Sequence, residues 1–279
     1  MDWIQSLNKA IDYMEDNLLT ELNYEDIAGH VFISNYHFQK AFSLLTGMTI
    51  GEYIRNRRLS LAGQELTVSD NKIIDIAFKY GYDTPESFTK AFRRFHGITP
   101  SQAKLEGSHL KSFNRLLIKI QLEGGNVMDY SIVEKDVLKV LAKMRTFTPK
   151  NSQKEIPDFW SEYFAAGCDK QVCGMLGICE QEKTGSREFR YGIGCIYDEH
   201  MSVPSGFEIL TISPYTWAVF KCVGPMPDAI QNMWARIYSE WLPQAEYQLL
   251  QDYDLEIYSE GNNRSNDYTS EIWIPVKRK

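Results

Sequence analysis

Between residues 24 and 105 the apolar positions follow one pattern, laid down twice. Phe38, Ala41, Phe42 and Leu45 stand at i, i+3, i+4 and i+7, and Phe88, Ala91, Phe92 and Phe95 repeat that spacing fifty positions on. This is the stripe of a helix that buries one face. A shorter apolar helix pattern precedes each stripe, Tyr24 to Val31 with Ile27 and Ala28, then Ile73 to Lys79. Lys40, Gly47 and Thr49 recur as Lys90, Gly97 and Thr99, and Asp26-Ile27-Ala28 recurs as Asp75-Ile76-Ala77, one residue out of step. The second turn is therefore longer by one residue. Ser34 and Thr84 suit N-caps, Pro85 suits a first helical position, and Gly47 suits a helix C-terminus needing positive φ. Trp3 to Asn17 reads as a leading helix and Ile50 to Leu66 as a longer one joining the copies. The segment predicts an all-α pair of helix-turn-helix units. Two copies make a paired module, not a solenoid.

The pattern changes after Ala103. Glu106-Gly107-Ser108 and Gly124-Gly125-Asn126 bracket a partly alternating run, Leu116 to Leu122, read as a linker ending in a strand. Beyond it, Tyr130–Glu134 and Val137–Arg145 read as paired strands, followed by an aromatic helix at Pro157–Ala166 and strands at Val172–Cys179 and Phe189–Tyr197. The series then recurs loosely, with strands at Phe207–Ile212 and Thr216–Val223, a helix at Pro227–Trp241, and strands at Tyr253–Tyr258 and Ser270–Val276. Two strand-helix-strand-strand halves predict an α+β domain with pseudo-twofold symmetry and an antiparallel sheet. The expected organisation is a paired helix-turn-helix module over 1–107, a linker over 108–127 and an α+β domain over 128–279.

A length of 279 residues fits two domains, and 43% hydrophobic with 13% aromatic residues supplies packed cores. The net charge of −7 argues against wholesale polyanion binding. Five cysteines, all in the second half, form no Cys-x-x-Cys pair and no cluster with histidine, so reduced thiols are expected, with no metal and no cofactor. The sequence shows no signal pattern and no apolar run of about 18 residues, so a cytoplasmic protein with no membrane partner is expected.

The outward faces of the two second helices carry DNA-reading chemistry. Asn and Gln pair bidentately with adenine, and Lys or Arg with guanine. In a helix-turn-helix the second helix presents such side chains to the major groove. The candidates are Asn35, Tyr36, Gln39 and Lys40 in the first copy and Glu86, Thr89 and Lys90 in the second. Arg93, Arg94 and the Arg55-Asn56-Arg57-Arg58 run, with Arg55 and Arg58 as its candidates, suit phosphates. Residues 1–107 hold 11 Lys+Arg against 14 Asp+Glu, whereas Lys90, Arg93, Arg94 and Lys104 face only Glu86 in 84–104. Directed contact with a small electrostatic footprint and a modest salt slope is expected.

In the second half, each predicted helix brings aromatics. Trp160, Tyr163, Phe164, Tyr191, Trp217, Trp234, Tyr238, Tyr268 and Trp273 are the candidates to line a cleft between the halves. Within the last strand Glu271 is the odd residue, on one face with Trp273 while Ile272, Ile274 and Val276 take the other. A carboxylate among aromatic rings suits a large organic cation. The alternative reading is a solvated or ion-paired glutamate near a strand edge.

These residues carry two resemblances. Residues 1–107 resemble the DNA-binding domain of the AraC/XylS transcription regulators. The match lies in Asp26-Ile27-Ala28, Ser34…Phe38-Gln39-Lys40…Phe42…Gly47, Asp75-Ile76-Ala77…Gly81-Tyr82 and Phe92…Gly97-Ile98-Thr99-Pro100-Ser101-Gln102. That resemblance implies promoter binding and activation through contact with RNA polymerase; here the domain comes first, as in a minority of members. Residues 128–279 resemble the GyrI-like effector-binding domain found in Rob-like regulators and multidrug sensors. Its softer motifs are Tyr130-x-Ile-Val-Glu, the Trp160 helix, Phe189-x-Tyr191-x-Ile-Gly, Tyr215-x-x-Ala218-x-Phe220 and Glu271-Ile-Trp-Ile-Pro. It implies a pocket between pseudo-repeats in which Glu271 faces lipophilic cations.

The leading expectation is a DNA-binding regulator, acting as an activator, gated by a small effector. Two other readings of the second domain stay open, an enzyme with Glu271 as base, or a protein-contact module with no small effector. Against the enzyme, the second half has no Ser/His/Asp set and a single histidine, His200. The paired reading helices allow a monomer on DNA, and a homodimer stays open. The sequence does not choose the effector, the operator, the sign of regulation or the oligomeric state.

Overall fold

The computed structural model describes residues 3–29, 35–119, 127–148, 151–181 and 188–279. They form two compact units, one of Met1–Phe32 with Thr46–Ile120, the other of Ile33–Leu45 with Gln121–Lys279. In chain order the first helices are α1 (Trp3–Asp16), α2 (Tyr24–Gly29), α3 (Asn35–Thr46), α4 (Ile50–Val68), α5 (Ile73–Lys79), α6 (Pro85–His96) and α7 (Pro100–Ala103). All of α3 except Thr46 folds with the second unit.

The first unit obeys the local signals. Thr84 caps α6 by accepting the Ser87 N–H, Pro85 opens the helix, and Gly97 closes it at φ 87°. The recurring Thr49 and Thr99 cap α4 and α7, each in a reciprocal capping box with Glu52 or Gln102. Leu59, Ala62, Leu66, Ile76, Ala77, Phe88, Phe92 and Ala103 make one buried cluster, with Phe95 packed against it. The expected cap Ser34 and the end of the first supporting helix at Val31 lie outside the described residues.

Residues 108–119 have no helix or strand. The expected strand over Leu116–Leu122 does not form at Leu116–Lys119, and the rest lies outside the described residues. The backbone there finds side chains in place of a neighbouring strand. Ile118 N–H donates to Asn8 Oδ1 at 2.9 Å and its carbonyl accepts from the Asn8 amide at 2.8 Å. Phe113 N–H donates to Ser60 Oγ at 2.9 Å.

The second unit adds to α3 a nine-stranded antiparallel sheet. Its strands are β1 (Tyr130–Lys135), β2 (Leu138–Phe147), β3 (Leu176–Glu180), β4 (Phe189–Ile196), β5 (Glu208–Ile212), β6 (Tyr215–Val223), β7 (Tyr247–Leu249), β8 (Tyr253–Tyr258) and β9 (Thr269–Arg278). Helix α8 (Ser152–Ala165) follows β2, and α9 (Asp228–Arg236) follows β6 and runs into a π-helical turn, Ile237–Trp241. The strand order is β1-β6-β9-β8-β3-β4-β2-β5, with β7 beside β9. This order reads the same from either end about the β3–β8 seam, with β2-α8-β3-β4 matching β6-α9-β8-β9. The expected pseudo-twofold arrangement is present, with outer strands exchanged.

That exchange corrects one expectation. Tyr130–Glu134 and Val137–Arg145 do not pair; β1 pairs with β6, and β2 with β4 and β5. Alternation says that a segment is a strand and leaves its partner open. Since only two residues separate β1 from β2, the ends of the strand order lie close together and the sheet curls. Its inner face is one apolar cluster drawn from both ends, with Val140, Leu210, Ile212, Trp217 and Leu255 buried and Val133 packed against them.

Candidate functional site

In the first unit, α6 carries the second set of residues expected to read bases. Glu86, Lys90, Arg93 and Arg94 are exposed and Thr89 is partly buried. With Pro85 and Thr99 they line one open hollow. Arg55 is exposed on α4. Arg58 is not a free phosphate ligand; its Nε donates to the Leu18 carbonyl at 2.6 Å and another guanidinium nitrogen to the Thr20 carbonyl at 2.8 Å. Burial pulls its pKa below the usual value. Arg57 is equally committed, to both oxygens of Glu15 at 2.8 and 2.7 Å.

Helix α3 departs further from expectation. Its apolar stripe is buried as the spacing requires, with Phe38, Ala41 and Phe42 at 0% exposure. Its opposite face, assigned to bases, packs inside the second unit. The Tyr36 ring lies 4.6 Å from that of Phe189 on β4. The Lys40 ammonium sits over the Trp234 ring of α9, 3.4 Å from its centroid. His37, fully buried, places Nδ1 2.6 Å from the Tyr238 hydroxyl, and its Nε2 lies 2.9 Å from the Gln181 amide nitrogen. Asn35 and Gln39 are partly buried and hydrogen-bonded to each other at 2.8 Å. Tyr36 and Lys40 are partly buried, and their ring and ammonium pack on Phe189 and Trp234 instead of standing free for DNA.

The cleft lies on the outer face of the sheet, between α8 and α9. Glu256 of β8 is its central carboxylate. It accepts from Trp234 Nε1 at 3.1 Å, from the Tyr258 hydroxyl at 2.9 Å and from the Tyr191 hydroxyl at 3.3 Å. Trp160 of α8 donates its indole N–H to the Tyr191 hydroxyl at 3.1 Å. Each pseudo-repeat thus sends one indole N–H into the site. Beside Glu256 the buried Asp254 accepts from the Gln181 amide at 3.3 Å and lies 3.4 Å from His37 Nε2. Gly177 faces Glu256 across the β3–β8 register and leaves room for the Tyr191 hydroxyl.

Electrostatics follow from this burial. Desolvation pulls the Lys40 ammonium below its usual pKa, while Glu256, Asp254 and Cys179 oppose that pull. Burial pushes the Tyr36, Tyr191 and Tyr258 phenols well above their usual range, with Glu256 reinforcing each. The phenols stay neutral donors.

The aromatic set expected from sequence is split by the sheet. Trp160, Tyr191, Trp234 and Tyr238 share the cleft face. Glu271, Trp273 and Trp217 occupy the inner face, since Trp273 pairs with Leu255 and Glu271 with Ile257, one residue out of phase with Glu256. There Glu271 accepts from Trp273 Nε1 at 2.8 Å, and Trp217 is a fully buried core residue. Tyr163 belongs to the buried cluster under α8, and Tyr268 donates its hydroxyl to the Ser259 carbonyl at 2.8 Å. Phe164 stacks on Trp160 and stays 51% exposed. Sequence reasoning missed Glu256, Asp254, Tyr258, Gln181 and His37. A signal was there, because Asp254, Glu256 and Tyr258 alternate on one face of an otherwise apolar strand.

Residues 131–276, more than half of the chain, match the family described as integron-associated effector binding protein, Cass2, and residues 27–105 match a helix-turn-helix domain family. The HTH-type transcriptional activator AarP of Providencia stuartii is 38% identical over 112 residues, 40% of this chain and 81% of AarP. The multiple antibiotic resistance protein MarA of Salmonella typhimurium is 28% identical over 107 residues, 38% of this chain and 84% of MarA. Among solved structures, SAV2435 bound to tetraphenylphosphonium is similar over 54% of this chain and 94% of its own, at 23% identity and a TM-score of 0.49. No helix among the described residues is long and apolar enough to cross a membrane. These are families of regulators, not enzymes, and the chain belongs to them as an AraC-type helix-turn-helix transcription regulator with a C-terminal Cass2/GyrI-like effector-binding domain.

Proposed function

We propose that the effector is a lipophilic organic cation held at Glu256, and that its binding changes promoter occupancy. The observation that carries this reading is the Glu256 carboxylate under three aromatic donors, Trp234, Tyr191 and Tyr258. A carboxylate among rings adds charge pairing to the attraction of ring faces for a cation. Partial exposure of Glu256, Tyr258 and Trp160 leaves an approach from solvent. In this reading residues 1–107 carry the DNA contacts, 108–127 link and 128–279 hold the effector. The protein acts as an activator through RNA polymerase, and two reading helices in one chain let a monomer engage DNA. An effector changes occupancy only by preferring one conformation.

The test is calorimetric titration of the full chain with tetraphenylphosphonium, neutral triphenylphosphine oxide and the tetraphenylborate anion. Saturable binding of the cation alone supports the reading. Equal binding of the neutral analogue overturns the charge requirement, and no binding of any of the three overturns the ligand class.

A further inference from the structure

The effector cleft already holds a cation supplied by the chain. Lys40 of α3 stands over Trp234, the ring whose N–H fixes Glu256; burial pulls its pKa down, and Glu256 and Asp254 oppose that pull. The neighbours of Lys40 seal the arrangement. His37 is bracketed by Tyr238 on one side and by Gln181 and Asp254 on the other. Tyr36 packs on Phe189 and on the cluster of Phe147, Tyr163 and Tyr191. Three successive contacts on one helical face meet three different elements of the sheet domain. A helix meant only to stand in solvent until it meets DNA has no need of a fully buried histidine.

We infer that α3 is an intramolecular ligand of the effector cleft, competing with the cationic effector and keeping the first recognition helix from DNA until it is displaced. The inference rests on the cation reading of Glu256 and adds its regulation. A ligand ring stacked on Trp234 beside Glu256 would take the volume Lys40 occupies, and two cations would share one carboxylate pair. Both terms disfavour joint occupancy. The face released with Lys40 is the one bearing Asn35, Tyr36 and Gln39, so effector binding and DNA reading become linked through one helix. Apparent effector affinity is then the intrinsic affinity multiplied by the fraction of molecules with the cleft open.

The experiment uses the full chain as wild type, Lys40→Met and Glu256→Gln. Tetraphenylphosphonium affinity is measured by calorimetry, and hydrogen exchange over residues 35–45 is followed with and without the cation. The expected results are about tenfold tighter binding by Lys40→Met, weaker binding by Glu256→Gln, and faster exchange over 35–45 when cation saturates the wild type. Unchanged affinity in Lys40→Met, or slower exchange over 35–45 in the wild type, with Glu256→Gln still weakened, overturns the competition and spares the cation site. Undiminished binding by Glu256→Gln overturns the cation site and the competition with it. The wild-type exchange arm decides the matter even if Lys40→Met does not fold.

Discussion

The indole N–H of Trp234 donates to the Glu256 carboxylate at 3.1 Å, joining the helix of one pseudo-repeat to the strand at the symmetry seam. Glu271, one strand over, faces the inside of the curled sheet. Neutralising the two should therefore act differently. Glu256→Gln is expected to weaken tetraphenylphosphonium binding about ten- to hundredfold, and Glu271→Gln to leave it unchanged. Tryptophan fluorescence titration of both variants checks this; the reverse order would return the site to Glu271.

Gly177 is placed where a side chain cannot fit. A Cβ there would stand 2.3 Å from the Tyr191 hydroxyl oxygen and 3.4 Å from Glu256 Oε2. Gly177→Ala should destabilise the sheet domain by about 1–3 kcal/mol and weaken cation binding. Adding Tyr191→Phe, which removes the hydroxyl, should restore much of the stability. Denaturant unfolding of the single and double variants reads the effect, and equal midpoints for wild type and Gly177→Ala would show that Tyr191 moves aside freely.

In the first unit, His96 of α6 is buried against α4. Its Nε2–H donates to the Leu59 carbonyl at 2.9 Å, and its Nδ1 accepts the Lys111 N–H at 3.1 Å. Burial lowers its pKa below the usual 6.5, with Lys111 acting in the same direction and the Leu59 carbonyl opposing both. A depressed folded pKa means that the unfolded chain takes up the proton first. The stability this site contributes is thus complete above about pH 6.5 and is lost as pH falls through the folded value. Exchange of α4 and α6 amides, corrected for intrinsic rate, should accelerate between pH 7 and pH 5.5. No acceleration would mean that the imidazolium is accommodated.

The same ring explains Gly63, whose added Cβ would lie 2.7 Å from His96 Cε1. Gly63→Ala should lower stability by about 1–3 kcal/mol at pH 7. A thermal melt of the full chain tests it, and a raised midpoint would mean that helix propensity outweighs the clash.

On α6, Lys90→Ala should cost about 1–3 kcal/mol on an operator selected from random DNA and relax the preference at one position, whereas Arg94→Ala should weaken binding to all sequences and flatten the salt dependence. Arg58→Ala should act on stability, by about 1–3 kcal/mol, since it orphans the Leu18 and Thr20 carbonyls. Gel-shift and melting measurements on the three variants separate these roles. A stable Arg58→Ala protein with impaired DNA binding would make Arg58 a phosphate ligand after all.

Helix positions, caps and strand segments were legible because they depend on neighbours within a few residues. Thr84, Pro85 and Gly97 mark α6 without reference to anything distant, and the strand expected at Tyr253–Tyr258 has the bounds of β8. The AraC-type and GyrI-like resemblances rest on the same local motifs. Strand partners were not legible. Nothing in Tyr130–Glu134 says that its neighbour is β6 and not the strand two residues downstream.

The sequence by itself determined two kinds of domain, the paired helix-turn-helix and the α+β repeat, because period and punctuation are properties of the chain. Alternation within β9 correctly separated Glu271 and Trp273 from Ile272 and Ile274. Only the tertiary structure decided which of those faces turns toward helices, since that depends on sheet curl and on register between strands far apart in sequence. The same holds for α3. Its polar face looked like a DNA-reading surface, and the fold covers it with Trp234, Tyr238 and Phe189 from more than 140 residues away. Burial of a polar face is decided by what packs on it, and no local pattern carries that information.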